Sequence, residues 1–145
     1  MIRMIAAAAC FACLGTAASV RAAPVPATAE DLAFFVGQWA TGPAPVDGYE
    51  TISAQSPDCA RAVRIEAGPD DRLVRTVMRR DGQDSSAAFR VMRFAGHYPW
   101  WPIDGGPGPV AREVDADSFD LAPIGVGRAD WTRAIRHYRC PAAAD

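Results

Sequence analysis

The 145-residue chain has no lysine and no asparagine, only two histidines, and no apolar run long enough to span a bilayer. Each absence removes a class of function. Without Asn there is no N-glycosylation acceptor. Any chemistry that needs imidazole must use His97 or His137, and neither an HExxH motif nor a close His pair is present to bind zinc. No nucleophile elbow accompanies His97 and Asp104, and Ser85 and Ser86 lie in a polar stretch read as a turn. Gly105 to Gly108 is interrupted by Pro107 and is not followed by Lys-Ser/Thr, so it is no phosphate loop. Asp115, Asp117 and Asp120 lack the Gly and terminal Glu of a calcium loop, and they read as a solvated hairpin tip. We therefore expect a non-enzymatic protein with no metal and no cofactor.

Met1 to Ala22 has a basic start at Arg3, an apolar core from Ile5 to Leu14 and a small-residue exit at Val20-Arg21-Ala22, the order of parts in a secretory signal peptide. Its apolar core is far short of the roughly 20 residues a membrane span needs. Cys10 and Cys13 have CxxC spacing, but they sit inside this segment and leave with it. The expected product is residues 23–145, a single domain, periplasmic or secreted, cleaved near Ala22. Two cysteines then remain, Cys59 and Cys140, and an oxidising compartment favours their pairing as a disulfide. The product carries 13 Arg against 17 acidic residues, a net charge of −4, so neither nucleic acid nor an anionic membrane surface is an expected partner. Exclusive use of Arg and abundant Ala read as the coding bias of a GC-rich bacterial genome.

After a leader from Ala23 to Thr28, Glu30 to Val36 offers one helical turn with acids at its N-terminal end, stopped by Gly37. From there on, turn signals recur about every ten residues, the rhythm of an antiparallel barrel or sandwich. Strands are expected at Gln38–Thr41, Tyr49–Gln55, Arg61–Ala67, Leu73–Arg80, Ala87–Phe94, Tyr98–Ile103, Val110–Val114, Ser118–Ala122 and Trp131–Arg139. The connectors are too short for parallel crossovers, so neighbouring strands must run antiparallel. Val63, Ile65 and Ala67 alternate with Arg64 and Glu66, and Trp131, Ile135 and His137 fall on one face of the last segment. Leu73–Arg80 and Phe89–Phe94 carry large apolar groups on both faces mixed with Arg. One of those faces lines a cavity, or Arg stems cover apolar surface.

The segment from Asp31 to Trp39, a short helical turn followed by Gly37-x-Trp39, resembles the opening of the lipocalin and wider calycin barrels. The resemblance implies an all-β, up-and-down barrel of about eight or nine strands, with Trp39 on the barrel floor against an Arg of the last strand, Arg136 or Arg139. It also implies a disulfide from mid-chain to the C-terminal strand, as Cys59 and Cys140 would supply. The other lipocalin signatures are missing and the chain is short for the type. A small exported barrel with one disulfide is similar as well to the bacterial metalloprotease inhibitors, whose inhibitory arm would correspond to Ala23–Thr28.

The expected function is a lipocalin-like protein that takes a small apolar ligand into its barrel, with Trp39, Trp100, Trp101, Trp131 and His137 at the site. Adjacent Trp100 and Trp101 must point to opposite faces of a strand, one internal and one exposed. His137 reads as a core or rim histidine, with a haem-iron ligand as the alternative that the resemblance carries. The competing class is an interaction module, a protease-inhibitor-like or envelope-assembly factor whose contact surface is the leader or the Trp100-Trp101 loop. The chain is expected to be monomeric.

Overall fold

The computed structural model describes residues 23–44, 58–79 and 81–142. Residues 1–22, the segment expected to be a signal peptide and holding Cys10 and Cys13, and the strand expected at Tyr49–Gln55 lie outside these residues, as does Arg80.

Thr28 begins the one α-helix among the described residues, α1 (Ala29–Phe35), with a reciprocal cap: its hydroxyl accepts from the Asp31 amide at 3.2 Å and its own amide donates to the Asp31 carboxylate at 2.7 Å. Gly37 ends the helical stretch at φ +146°, a conformation that side chains with a Cβ rarely adopt. Ahead of α1, the leader residues Val25–Pro26 form a short strand, β1.

Among the described residues eight further strands follow in chain order: β2 (Gly37–Pro43), β3 (Val63–Gly68), β4 (Arg72–Met78), β5 (Asp84–Arg93), β6 (Tyr98–Pro102), β7 (Val110–Asp115), β8 (Ser118–Ala122) and β9 (Ile135–Arg139). Each pairs antiparallel with its neighbour in sequence, and β9 returns to pair with β2. The result is a closed eight-stranded up-and-down barrel, a closure that removes the exposed sheet edges at which other chains pair. β1 is added outside the circuit, with Val25 and Pro26 opposite Arg93 and Met92 of β5. Pro26 is tolerated there because an edge position demands no amide from it.

Local chemistry sets the hairpins. Asp70 and Asp71 take positive φ in the three-residue connection between β3 and β4, and Ala95 and Gly96 do so between Phe94 and His97, where they give the backbone twist that a two-residue hairpin needs. Ser85 and Ser86, expected in a turn, belong to β5, where the Ser86 hydroxyl lies 2.8 Å from that of Thr76 on β4.

The last strand begins four residues later than expected, at Ile135. Trp131–Arg133 instead form a single 3₁₀ turn, because the Asp130 carboxylate accepts from both the amide and the hydroxyl of Thr132, at 3.2 and 2.6 Å. Such side-chain bonds offer the backbone an alternative to the sheet ladder. The Cys59–Cys140 disulfide is formed and ties the 3₁₀ turn Cys59–Arg61 to the residue after β9. Among the described residues, no helix is long and apolar enough to cross a membrane.

Candidate functional site

One end of the barrel is closed by α1. Phe35 is wholly buried and meets the rings of Tyr98, Trp100 and Phe119 edge-on, with centroids 5.2–5.3 Å apart. Trp39, also fully buried, donates its indole N–H to the Phe35 carbonyl at 2.8 Å. The Arg139 guanidinium lies 4.2 Å from the Trp39 ring centre and donates to the Phe34 and Val36 carbonyls at 2.8 and 3.2 Å. A cation over an indole face contributes about 0.5–2 kcal/mol, and here the same group also satisfies carbonyls at the end of the helix. Gly37 is part of this clasp, since a Cβ there would stand 3.1 Å from Arg139 Nη1. Of the two arginines expected at Trp39, the closing residue is therefore Arg139.

Above the floor, the inward faces of the strands carry Val63 and Ile65 on β3, Leu73 on β4, Phe89 and Val91 on β5, and Trp100 on β6. Polar groups are set into this apolar wall. His137 is fully buried and stacks on Phe119 at 4.4 Å, with the rings 12° apart. Its Nδ1 lies 3.2 Å from the Ile135 carbonyl, which can only accept, so Nδ1 carries the proton and Nε2 presents a lone pair. Burial first, and then the charge of Arg75, push the imidazole down to about pKa 4, so it is neutral at physiological pH.

Arg75 stands opposite Ile65 in the β3–β4 register and shares the inward face of β4 with Leu73 and Val77. Burial lowers its pKa, but a guanidinium stays charged in proteins. Among the described residues it makes no ion pair, and its Nε is enclosed without a partner, as are His137 Nε2 and Trp100 Nε1. Buried polar atoms are partnered in roughly nine cases of ten, so three such atoms on one inward surface define the candidate site.

The outer wall is built differently. Asp120, expected at a solvated hairpin tip, is fully buried on β8. It accepts from Arg136 Nε and Nη2 at 2.8 and 3.0 Å and from Arg112 Nη2 at 2.8 Å. Burial alone would raise its pKa, yet these bonds and the two cationic charges hold it below the usual carboxylate range. The β8–β9 loop folds back over this ladder, placing Trp131 4.5 Å from the Arg112 guanidinium and 5.3 Å from the His97 ring. Trp131 thus lies outside the barrel wall, away from His137, and lines an open surface depression of about 810 Å³ with Gly125, Val126 and Arg128.

Of the residues expected at the site, Trp39, Trp100 and His137 converge in the interior, whereas Trp101 is 47% exposed on the outer face of β6 and Trp131 packs on the outer wall. His97 bonds through Nδ1 to the Ala95 carbonyl in the β5–β6 turn, at the opposite end of β6 from Asp104. Among the described residues, no three His, Cys, Asp or Glu side chains gather closely enough to hold a metal ion. Sequence reasoning did not single out Arg75. The signal available was an Arg among large apolar residues on both faces of Leu73–Arg80, which alternation alone cannot orient. Comparison with known proteins returns no match of any kind: no protein family, no curated protein and no solved structure resembles this chain closely enough to pair with it.

Proposed function

We propose that the protein is an exported, lipocalin-like barrel that binds a small, largely apolar ligand in its interior and performs no catalysis. The observation that carries this reading is the set of enclosed, unpartnered nitrogens of Arg75, Trp100 and His137 on the inward face of a closed barrel. Barrels of this strand number are wide enough to hold one small ligand, and such sites combine apolar walls with a few converging polar groups. The Gly37–Trp39–Arg139 clasp supports the lipocalin-like part of the reading. The Cys59–Cys140 bond supports export, since disulfides persist in oxidising compartments.

Native mass spectrometry of the protein from a periplasmic extract, compared with its denatured mass, tests the proposal. The expected result is a co-purifying small molecule released on denaturation. A bare protein that also takes up no amphiphile added to it would refute the reading.

A second reading, an interaction module, draws support from Trp101 and Ile103, which are both exposed on and just after β6. Its other proposed contact, the leader, has Val25 and Pro26 already paired to β5, so an inhibitory arm would first have to leave that strand. Capture of an envelope protein that is lost on Trp101→Ser would favour this module over the ligand carrier.

A further inference from the structure

On the outer face of β4, β5 and β6, register sets Arg72 directly opposite Arg90, and Arg90 directly opposite Trp101. Residues opposed in this way share a face, and it is the outer one, because their chain neighbours Leu73, Phe89 and Trp100 lie in the core. Like charges directly opposite one another destabilise a sheet, so this pair of arginines works against the fold that carries it. Arg72 Nη2 reaches only the exposed Asp70 carboxylate, at 3.5 Å, and its Nε is enclosed without a partner. Arg90 is exposed and makes no ion pair among the described residues. Elsewhere on the barrel the chain satisfies two arginines by itself. There Arg112 and Arg136 flank Asp120 in register and both donate to its carboxylate, with Trp131 lying 4.5 Å from the Arg112 guanidinium. The β4–β6 row has two arginines and a tryptophan as well, and lacks the acid.

We infer that another protein supplies it: the row Arg72–Arg90–Trp101 docks an Asp or Glu side chain of a partner, whose carboxylate accepts from the two guanidinium groups. The inference rests on the interaction reading of Trp101 and is independent of what the barrel interior holds. Two residues along the strands, Val74 opposes Ala88, and Ile103, 40% exposed, donates its amide to the Ala88 carbonyl at 3.0 Å. This apolar stripe gives a place to an apolar residue next to the partner's acid. Trp and Arg are also the side chains on which binding energy at protein interfaces concentrates. Charge separates the other occupants of such a face. A second copy joined through it by a two-fold axis would bring four arginines together. An extended anionic surface would meet the whole product, with its 13 Arg against 17 acidic residues, whereas a single acidic side chain meets mainly the charges within a Debye length, about 10 Å.

The test titrates the full exported protein by calorimetry at low ionic strength with a short peptide in which glutamates alternate with valines, with its glutamine counterpart and with sodium sulfate, in the wild type and in Arg90→Gln and Trp101→Ser. The glutamate peptide should bind the wild type about tenfold more tightly than the glutamine peptide. That ratio should fall towards one in Arg90→Gln and in concentrated salt. Trp101→Ser should weaken both peptides several-fold. Without any peptide, Arg90→Gln should melt about 1–4 °C above the wild type, because it removes one of two opposed charges. A lower midpoint would mean that the arginines are already satisfied within the chain and would overturn the inference. Sulfate bound as tightly as the glutamate peptide, with no effect of Trp101→Ser, would reduce the row to a small-anion site and overturn the protein partner. A dimer in sedimentation that Arg90→Gln dissociates would place a second copy there and overturn it equally. Equal binding of the two peptides, lost in Trp101→Ser, would overturn the acid and leave the interaction reading of Trp101 standing. Binding of neither peptide would overturn both.

Discussion

Ligand-free protein should lose stability on mild acidification, and the loss should be traceable to His137. The imidazole titrates at 6.5 when unperturbed and is pushed down to about 4 in the fold, by burial first and then by Arg75, against weaker opposing effects of the Ile135 carbonyl and Asp120. Between those two values the unfolded state holds more protons than the folded one, so stability must fall as pH falls. The contribution is fully present above the unfolded value and is gone below the folded one. At 1.36 kcal/mol per pKa unit, the whole window corresponds to about 3 kcal/mol, of which about 2 kcal/mol is lost by pH 5. Asp31 and Asp120 are held below the usual carboxylate range, so they remain ionised there and do not add to the change. The assay is urea unfolding at pH 7 and pH 5 in the wild type and in His137→Phe, a variant that keeps a ring against Phe119. For an m-value of about 2 kcal/mol/M, the wild-type midpoint should drop by roughly 1 M, and the variant should show little of this drop. Arg75→Met should reduce it in part. If the wild type and His137→Phe lose the same stability over this interval, the buried neutral imidazole is not the cause and the reasoning fails.

Three further outcomes follow from the contacts. Asp120→Ala leaves Arg136, 18% exposed, without its carboxylate, but Arg112 is 44% exposed and can rehydrate; the cost in chemical denaturation should be about 2–3 kcal/mol, near the lower bound for breaking a buried pair. Trp39→Phe keeps most of the buried ring but loses the bond to the Phe35 carbonyl and weakens the Arg139 contact; a loss of about 2 kcal/mol is expected by urea unfolding, with the barrel's circular dichroism retained. Reduction of Cys59–Cys140, which are 81 residues apart, should destabilise by about 4 kcal/mol in the chain-entropy treatment, read as a fall in the thermal midpoint in dithiothreitol that a Cys59→Ser/Cys140→Ser double variant does not show.

Much of the barrel was legible because it depends on short-range rules. Ser118–Ala122 was placed to the residue, and the other strands of the barrel circuit to within a few residues, since alternation and turn chemistry act over a handful of positions; the added strand Val25–Pro26 was read only as an extended leader. The floor was legible too: Gly37 and Trp39 mark it, and only the choice between Arg136 and Arg139 remained. Register decided that choice, setting Arg139 opposite Trp39 and Arg136 beside Asp120. Trp131 was misplaced for the opposite reason. Its spacing from His137 fitted a strand, but the Asp130 side chain bonds locally to Thr132 and breaks the periodicity before the strand begins.

By itself, then, the sequence determined an antiparallel meander, the pairing of Cys59 with Cys140, the opposed faces of Trp100 and Trp101, and a helical turn that feeds Trp39 into the first strand of the barrel. All of these rest on backbone geometry and residue chemistry that neighbours in the chain impose. Only the tertiary structure decided that the sheet closes on itself, that Asp120 is buried beneath the folded-back Trp131 loop, and that Arg75 faces inward while Arg64 and Arg90 face out. Those outcomes depend on which face of each strand becomes the inside. Where both faces carry large apolar groups, that face is set by pairing between strands far apart in the chain and not by the pattern within one strand.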